Sequence, residues 1–169
     1  MKLKAITAIL ALACSALSAQ TVEVKDAWVR STVPGQRATG AFMKITAKDA
    51  AKLVSATSPA AGLAQVHEMK MDGDVMKMRA VQGGLDLPAG KTVELKPGGY
   101  HVMLMDLKET LPKDSTIALT LVFQDAKGAQ SKLELNVPVT TMAPGAKAGE
   151  MPAMDHGKMP MDHSSMHKP

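Results

Sequence analysis

From Thr21 to about Thr140 the chain runs in short alternating stretches broken by turn-forming pairs. This pattern restricts its fold more than any other feature. Ile117-Leu119-Leu121-Phe123 alternates strictly with polar or small residues, and Leu133-Leu135-Val137 repeats the rhythm. A period of two is the signature of a strand with one face buried. Pro34-Gly35, Asp72-Gly73, Gly83-Gly84, Pro88-Ala89-Gly90, Pro97-Gly98-Gly99 and Lys127-Gly128 punctuate the runs. No helical pattern of ordinary length competes. The expected strands are Val22–Val29, Gly40–Thr46, Lys52–Ala56, Gln65–Met71, Val75–Val81, Thr92–Leu95, Tyr100–Leu107, Thr116–Gln124 and Lys132–Val137. About nine short strands in one domain predict an all-β antiparallel sandwich or barrel. With Trp28, Phe42, Tyr100 and Phe123 as its only aromatics, the chain must build its core from Val, Leu, Ile and Met.

The ends read differently. Lys2 and Lys4 precede an apolar run, Ala5 to Leu17, and small residues follow at Ser18-Ala19. This is the layout of a signal peptide cut after Ala19, and the apolar run is too short to span a bilayer comfortably. Residues 1–19 are therefore assigned to export and 20–140 to the β domain. The expected location is the periplasm, with no transmembrane span. Ala11-Leu12-Ala13-Cys14 offers a second route, a lipoprotein anchored at Cys14, although Leu is expected at the position of Ala11. Residues 141–169 are Met, His, Pro, Gly, Ala and Lys without apolar periodicity. Such a composition predicts a disordered tail.

Cys14 is the only cysteine, so cleavage after Ala19 leaves no thiolate for zinc, redox exchange or nucleophilic catalysis. Removing Lys2 and Lys4 takes the formal charge from +4 to +2, too little to argue for nucleic acid. There is no paired-carboxylate spacing, nucleophile motif or Gly-rich phosphate loop, so an enzyme is not expected.

What the chain does concentrate is thioether and imidazole. His67 and His101 are the only histidines before the tail, and each lies within two residues of a methionine. Asp72-Gly73 as a two-residue type I′ loop sets His67 opposite Met78 and Met69 opposite Met76, with Glu68, Lys70, Lys77 and Arg79 on the other face. His101 and Met103, two apart on another strand, share a face. Donors of this kind, without thiolate or carboxylate, suit Cu(I). The expected metal residues are His67, Met78, His101 and Met103, with Met69 and Met76 as possible additional donors. Met43, Met71 and Met105 are assigned to the core, where a methionine on an apolar strand usually belongs. In the tail, Met151, Met154, His156, Met159, Met161, His163, Met166 and His167 form a second expected copper site for Cu(I) or Cu(II).

The same residues carry a family resemblance. Asp26-Ala27-Trp28-Val29-Arg30, His67-Glu68-Met69, Val75-Met76-Lys77-Met78-Arg79, Leu95-Lys96-Pro97-Gly98-Gly99 and His101-Val102-Met103-Leu104-Met105 resemble the periplasmic copper chaperone family PCu(A)C. Its pattern is His, about ten residues, Met, about twenty-one residues, then His-x-Met. Ten residues separate His67 from Met78, and the interval from Met78 to His101 is one residue longer than the pattern. The resemblance implies a cupredoxin-like Greek-key fold and Cu(I) held by His67, Met78, His101 and Met103. It also implies delivery to the copper-bearing subunit of a respiratory cytochrome oxidase, or to another assembly chaperone. The alternative function is a periplasmic scavenging or resistance protein that sequesters copper.

Overall fold

The computed structural model describes residues 22–145. The assignments made for the signal segment, for Cys14 and for the tail donors from Met151 to His167 lie outside the described residues.

Ten strands follow one another: β1 (Val22–Arg30), β2 (Ala38–Ala47), β3 (Ala51–Thr57), β4 (Ala61–Asp72), β5 (Val75–Ala80), β6 (Leu85–Leu87), β7 (Thr92–Leu95), β8 (His101–Leu107), β9 (Thr116–Asp125) and β10 (Gln130–Thr140). The all-β expectation holds, with ten strands instead of about nine. The addition is β6, whose three residues, Leu85-Asp86-Leu87, are too short for alternation to show. The hydrogen-bonded order is β5-β4-β8-β2-β1-β10-β9-β3-β6, with β7 also on β2. Every pairing between these strands is antiparallel except β1 with β10, a short parallel contact at Val29↔Val139 and Arg30↔Thr140.

Alternation builds the core from both halves of this order. Ala41, Met43 and Ile45 of β2, Val66 of β4, and Val102 and Leu104 of β8 join Leu53 of β3, Leu119, Leu121 and Phe123 of β9, and Val137 and Val139 of β10 in one buried cluster. Met43, at 2% exposure, takes the core role assigned to it. Met105 is only partly buried, and Met71 is 55% exposed, which corrects its assignment to the core. The reason is register: Met71 shares its face with His67, and that face points away from Val66 and the core.

Two local devices position the outer face. In β1 the pairing with β2 slips by one residue between Lys25 and Trp28, where Asp26 has φ of 52°. This is a β-bulge. Before it, Val22 and Val24 pack on the core; after it, Val29 does, and Trp28 is turned to the opposite face. In β2 the free side is shared. Ala38–Ala41 pair with β8, whereas Met43–Thr46 pair with β7. The chain crosses from one partner to the other through a tight turn, Lys96 N–H to Tyr100 C=O at 2.7 Å and Gly99 N–H to Lys96 C=O at 3.0 Å. Gly98 has φ of 80°, a left-handed conformation that glycine adopts without the Cβ penalty.

Candidate metal site

His67 and His101 stand directly opposite each other across β4 and β8. Directly opposed residues lie on one face with Cβ atoms about 5 Å apart. Their rings meet edge-on with centroids 5.9 Å apart. The sequence pattern placed each histidine on a strand but not the two strands side by side, because that pairing spans more than thirty positions and no turn dictates it.

The hairpin is built, but one step from the expected turn. Asp72 pairs with Val75, so the two-residue loop is Gly73-Asp74 and not Asp72-Gly73. Gly73 has φ of 62° and Asp74 has no positive φ. Positive φ at the first central position alone is the II′ pattern, which asks it only of glycine; type I′ asks it of the preceding Asp as well. The register moves accordingly: Met69 faces Met78, Met71 faces Met76, and His67 faces Ala80. The expected pairs His67 with Met78 and Met69 with Met76 are therefore corrected. The shift moves each opposed pair by two positions, so parity survives. His67, Met69, Met71, Met76 and Met78 remain on one face, and Glu68, Lys70, Lys77 and Arg79 on the other.

Beside the histidines lies an open cleft of about 290 Å³, lined by Met69, Met78, His101 and Met103 together with Phe42, Gly40 and Arg30. Three of the four expected ligands line it, and the fourth, His67, stands against the ring of His101. Met69, expected only as an additional donor, lines it too. Met76 does not line it.

The ring orientations are set by backbone and neighbours. His101 is 5% exposed. Its Nδ1 lies 3.1 Å from the Gly99 carbonyl, which only accepts, so Nδ1 carries the proton and Nε2 keeps a free lone pair. The same carbonyl receives the Met69 N–H at 3.2 Å, tying the turn to β4. His67 Nε2 sits 3.4 Å from Gln65 Oε1, and its buried Nδ1 has no partner. A buried nitrogen without a partner costs free energy; a metal ion would satisfy it. Burial of the ring, and secondarily the nearby His101, lower the pKa of His67 below its ordinary 6.5. The ring is thus held in the neutral form that ligates metal. Among the described residues no three His, Cys, Asp or Glu side chains come together. A metal held here depends on thioether as well as imidazole, and that combination selects Cu(I).

A platform of aromatic side chains backs the site, and sequence reasoning missed it. Trp28 and Phe42 are buried yet lie outside the main core cluster. They stack with centroids 4.6 Å apart, Phe42 is 6.2 Å from the His101 ring, and Arg30 lies 5.6 Å over Phe42. Gly40 leaves room for this ring: a Cβ there would approach Phe42 Cζ to 2.7 Å. The available signal was pairing of Trp28 with Phe42, which only the bulge at Asp26 produces.

Comparison with known proteins agrees with this architecture. The PCuAC domain of PmoF2, in its copper-bound form, superposes with a TM-score of 0.55 at 22% identity, over 73% of this chain and 93% of that one. The solution structure of Cu(I)-DR1885 from Deinococcus radiodurans gives 0.54 at 29% identity, over 76% and 82%. A curated relative, "Putative lipoprotein Lxx21020" of Leifsonia xyli subsp. xyli, is 39% identical over 107 residues, and the match spans 63% of this chain and 64% of that protein's length. The family described as "Putative lipoprotein LpqE-like" matches residues 22–139, nearly the whole described fold. With a fold like that of the PCuAC domains, the chain belongs to the LpqE-like family.

Proposed function

We propose that this protein is an envelope copper chaperone that carries Cu(I) in the His/Met cleft. The ligands would be His67, Met78, His101 and Met103, with Met69 able to replace or supplement Met78, which it faces. The observation that carries the reading is the pair of opposed imidazoles with thioethers around them, in which His67 Nδ1 is buried without a partner. Neutral imidazole and thioether hold Cu(I) without forming a thiolate bond, so the ion remains exchangeable by ligand substitution. Met78 is 48% exposed, which leaves one side of the cleft open to a recipient. The recipient we favour is the copper-bearing subunit of a respiratory cytochrome oxidase, or another assembly chaperone. The family description and the Ala11-Leu12-Ala13-Cys14 sequence support a lipid-anchored location at the envelope. Among the described residues no helix is long and apolar enough to cross a membrane.

Anaerobic Cu(I) titration of the exported chain against a competing chelator tests this. The wild type should hold one tight equivalent in the cleft, and Met103→Leu, which keeps volume but removes sulfur, should weaken that equivalent. Equal affinity in the two proteins overturns the ligand set. The second reading, sequestration, is favoured by the Met- and His-rich residues 141–169. Truncation after Thr140 separates the two: a chaperone keeps its domain equivalent and its transfer to an apo recipient, whereas a scavenger loses most of its capacity.

A further inference from the structure

Seven large apolar side chains are exposed among the described residues, and five of them, Leu63, Met71, Val75, Met76 and Met78, belong to β4 and β5, the last four close to the turn between them. Edge strands ordinarily protect themselves with charge. Here β5, one end of the strand order, has charge on one face only and thioethers on the other. The exposed methionines do not pack on the core, so packing does not account for them.

Their register is orderly. On one face Met71 opposes Met76 at the rung nearest the turn, Met69 opposes Met78 at the next, and His67 with His101 lies beyond. Successive same-face rungs are about 7 Å apart, at about 3.4 Å per residue. Each opposed pair has Cβ atoms about 5 Å apart. Met has three rotatable bonds, so both sulfurs of a pair can turn onto one ion. The turn's Asp72 carboxylate is engaged by Lys77 Nζ at 2.6 Å. Asp72 lies on the opposite face, so on this face the outermost rung presents two thioethers, and such a pair suits Cu(I).

We propose that Met71 and Met76 form a separate, thioether-only Cu(I) site at the hairpin tip, which loads and unloads the inner cleft. The ion moves inward by ligand exchange. A bond to Met69 or Met78 sulfur forms as a bond to Met71 or Met76 breaks, and His101 Nε2 then takes it. Copper stays Cu(I) throughout, and no electron or proton is transferred. The proposal deepens the copper reading above and rests on it.

The test uses the exported full-length chain labelled with carbon-13 at the methionine methyls. It is titrated anaerobically with Cu(I), and in parallel with Ag(I) as a redox-inert soft ion. Methyl signals of Met71 and Met76 should shift in a phase distinct from that of Met103. The double variant Met71→Leu, Met76→Leu, at exposed positions, should lose that phase. It should also exchange Cu(I) with a chelator about tenfold more slowly in both directions, because the local store of ion at the entrance is gone. Unmoved Met71 and Met76 methyls while Met103 responds would overturn this proposal alone, and wild-type exchange rates in the double variant would do the same. A silent Met103 would overturn the cleft itself, whatever the hairpin does.

Discussion

The part of the sheet formed by β4, β8 and β2 has two faces made from the same strands. On the inner face Val66, Val102, Leu104, Ala41 and Ile45 are buried in the core. On the outer face, one residue out of phase, stand His67, His101, Met103, Phe42 and Met69. The inner residues have well-defined rotamers and no polar atoms, and they stabilise the fold. Of the outer ones, the histidines and methionines carry lone pairs, and Phe42 packs on Trp28 behind them. Period-two alternation thus lets β4, β8 and β2 serve stability and metal chemistry without sharing a side chain.

Four measurements would break or sharpen that contrast. The largest effect is expected from His101→Ala. Loss of a ligand should weaken Cu(I) by more than the roughly 10–100-fold typical of changes beyond the ligand shell. Competition titration reads this, and affinity within a few-fold of wild type would mean that the outer face is not the metal face. Leu104→Ala is the inner-face counterpart. It should lower unfolding free energy by about 2–5 kcal/mol, through lost burial and a residual cavity. Denaturant unfolding measures this, while Cu(I) affinity of the folded protein should barely move.

Gly40→Ala tests the support between the faces. The added methyl meets Phe42 Cζ at 2.7 Å, so the ring that backs His101 must shift. Overpacking of this kind costs about 1–3 kcal/mol. Cu(I) affinity should fall with it, and an unchanged affinity would show that the aromatic platform does not orient His101. The smallest effect concerns pH. Because the fold lowers the His67 pKa below 6.5, the unfolded chain binds a proton more readily than the folded chain. The stability that His67 contributes is therefore complete above 6.5 and lost as pH falls through the folded value. Denaturation of the apo protein across this window should show the slope, and His67→Gln should remove it.

How much of this was legible beforehand follows the range of each interaction. Alternation along Ile117–Phe123 and Leu133–Val137 is local and announced β9 and β10 directly. His101 and Met103, two apart, had to share a face on any strand. The hairpin was visible in Asp72-Gly73, yet the loop was misplaced by one residue, since both Asp-Gly and Gly-Asp make two-residue turns and differ only in where positive φ falls. Parity rescued the donor face from that error. Met71 was misassigned because an apolar residue on a strand does not state which face the core covers. The apposition of His67 with His101 and the stacking of Trp28 on Phe42 were not readable. Both depend on strands brought together by the whole topology.

The bulge at Asp26 has a consequence for how this family can vary. Substitutions in β1 change one contact each. Closing the bulge without shortening the chain would reverse the phase of everything after it, sending the indole toward the core and Val29 to the cleft. Loss of one residue between Val24 and Trp28 would instead leave a regular strand with Trp28 still opposite Phe42. The metal cleft therefore depends on the extra residue of β1 staying in the bulge as much as on its own side chains. Relatives with the same spacing there should keep both bulge and platform, and those with one residue fewer should keep the platform on a strand without a bulge.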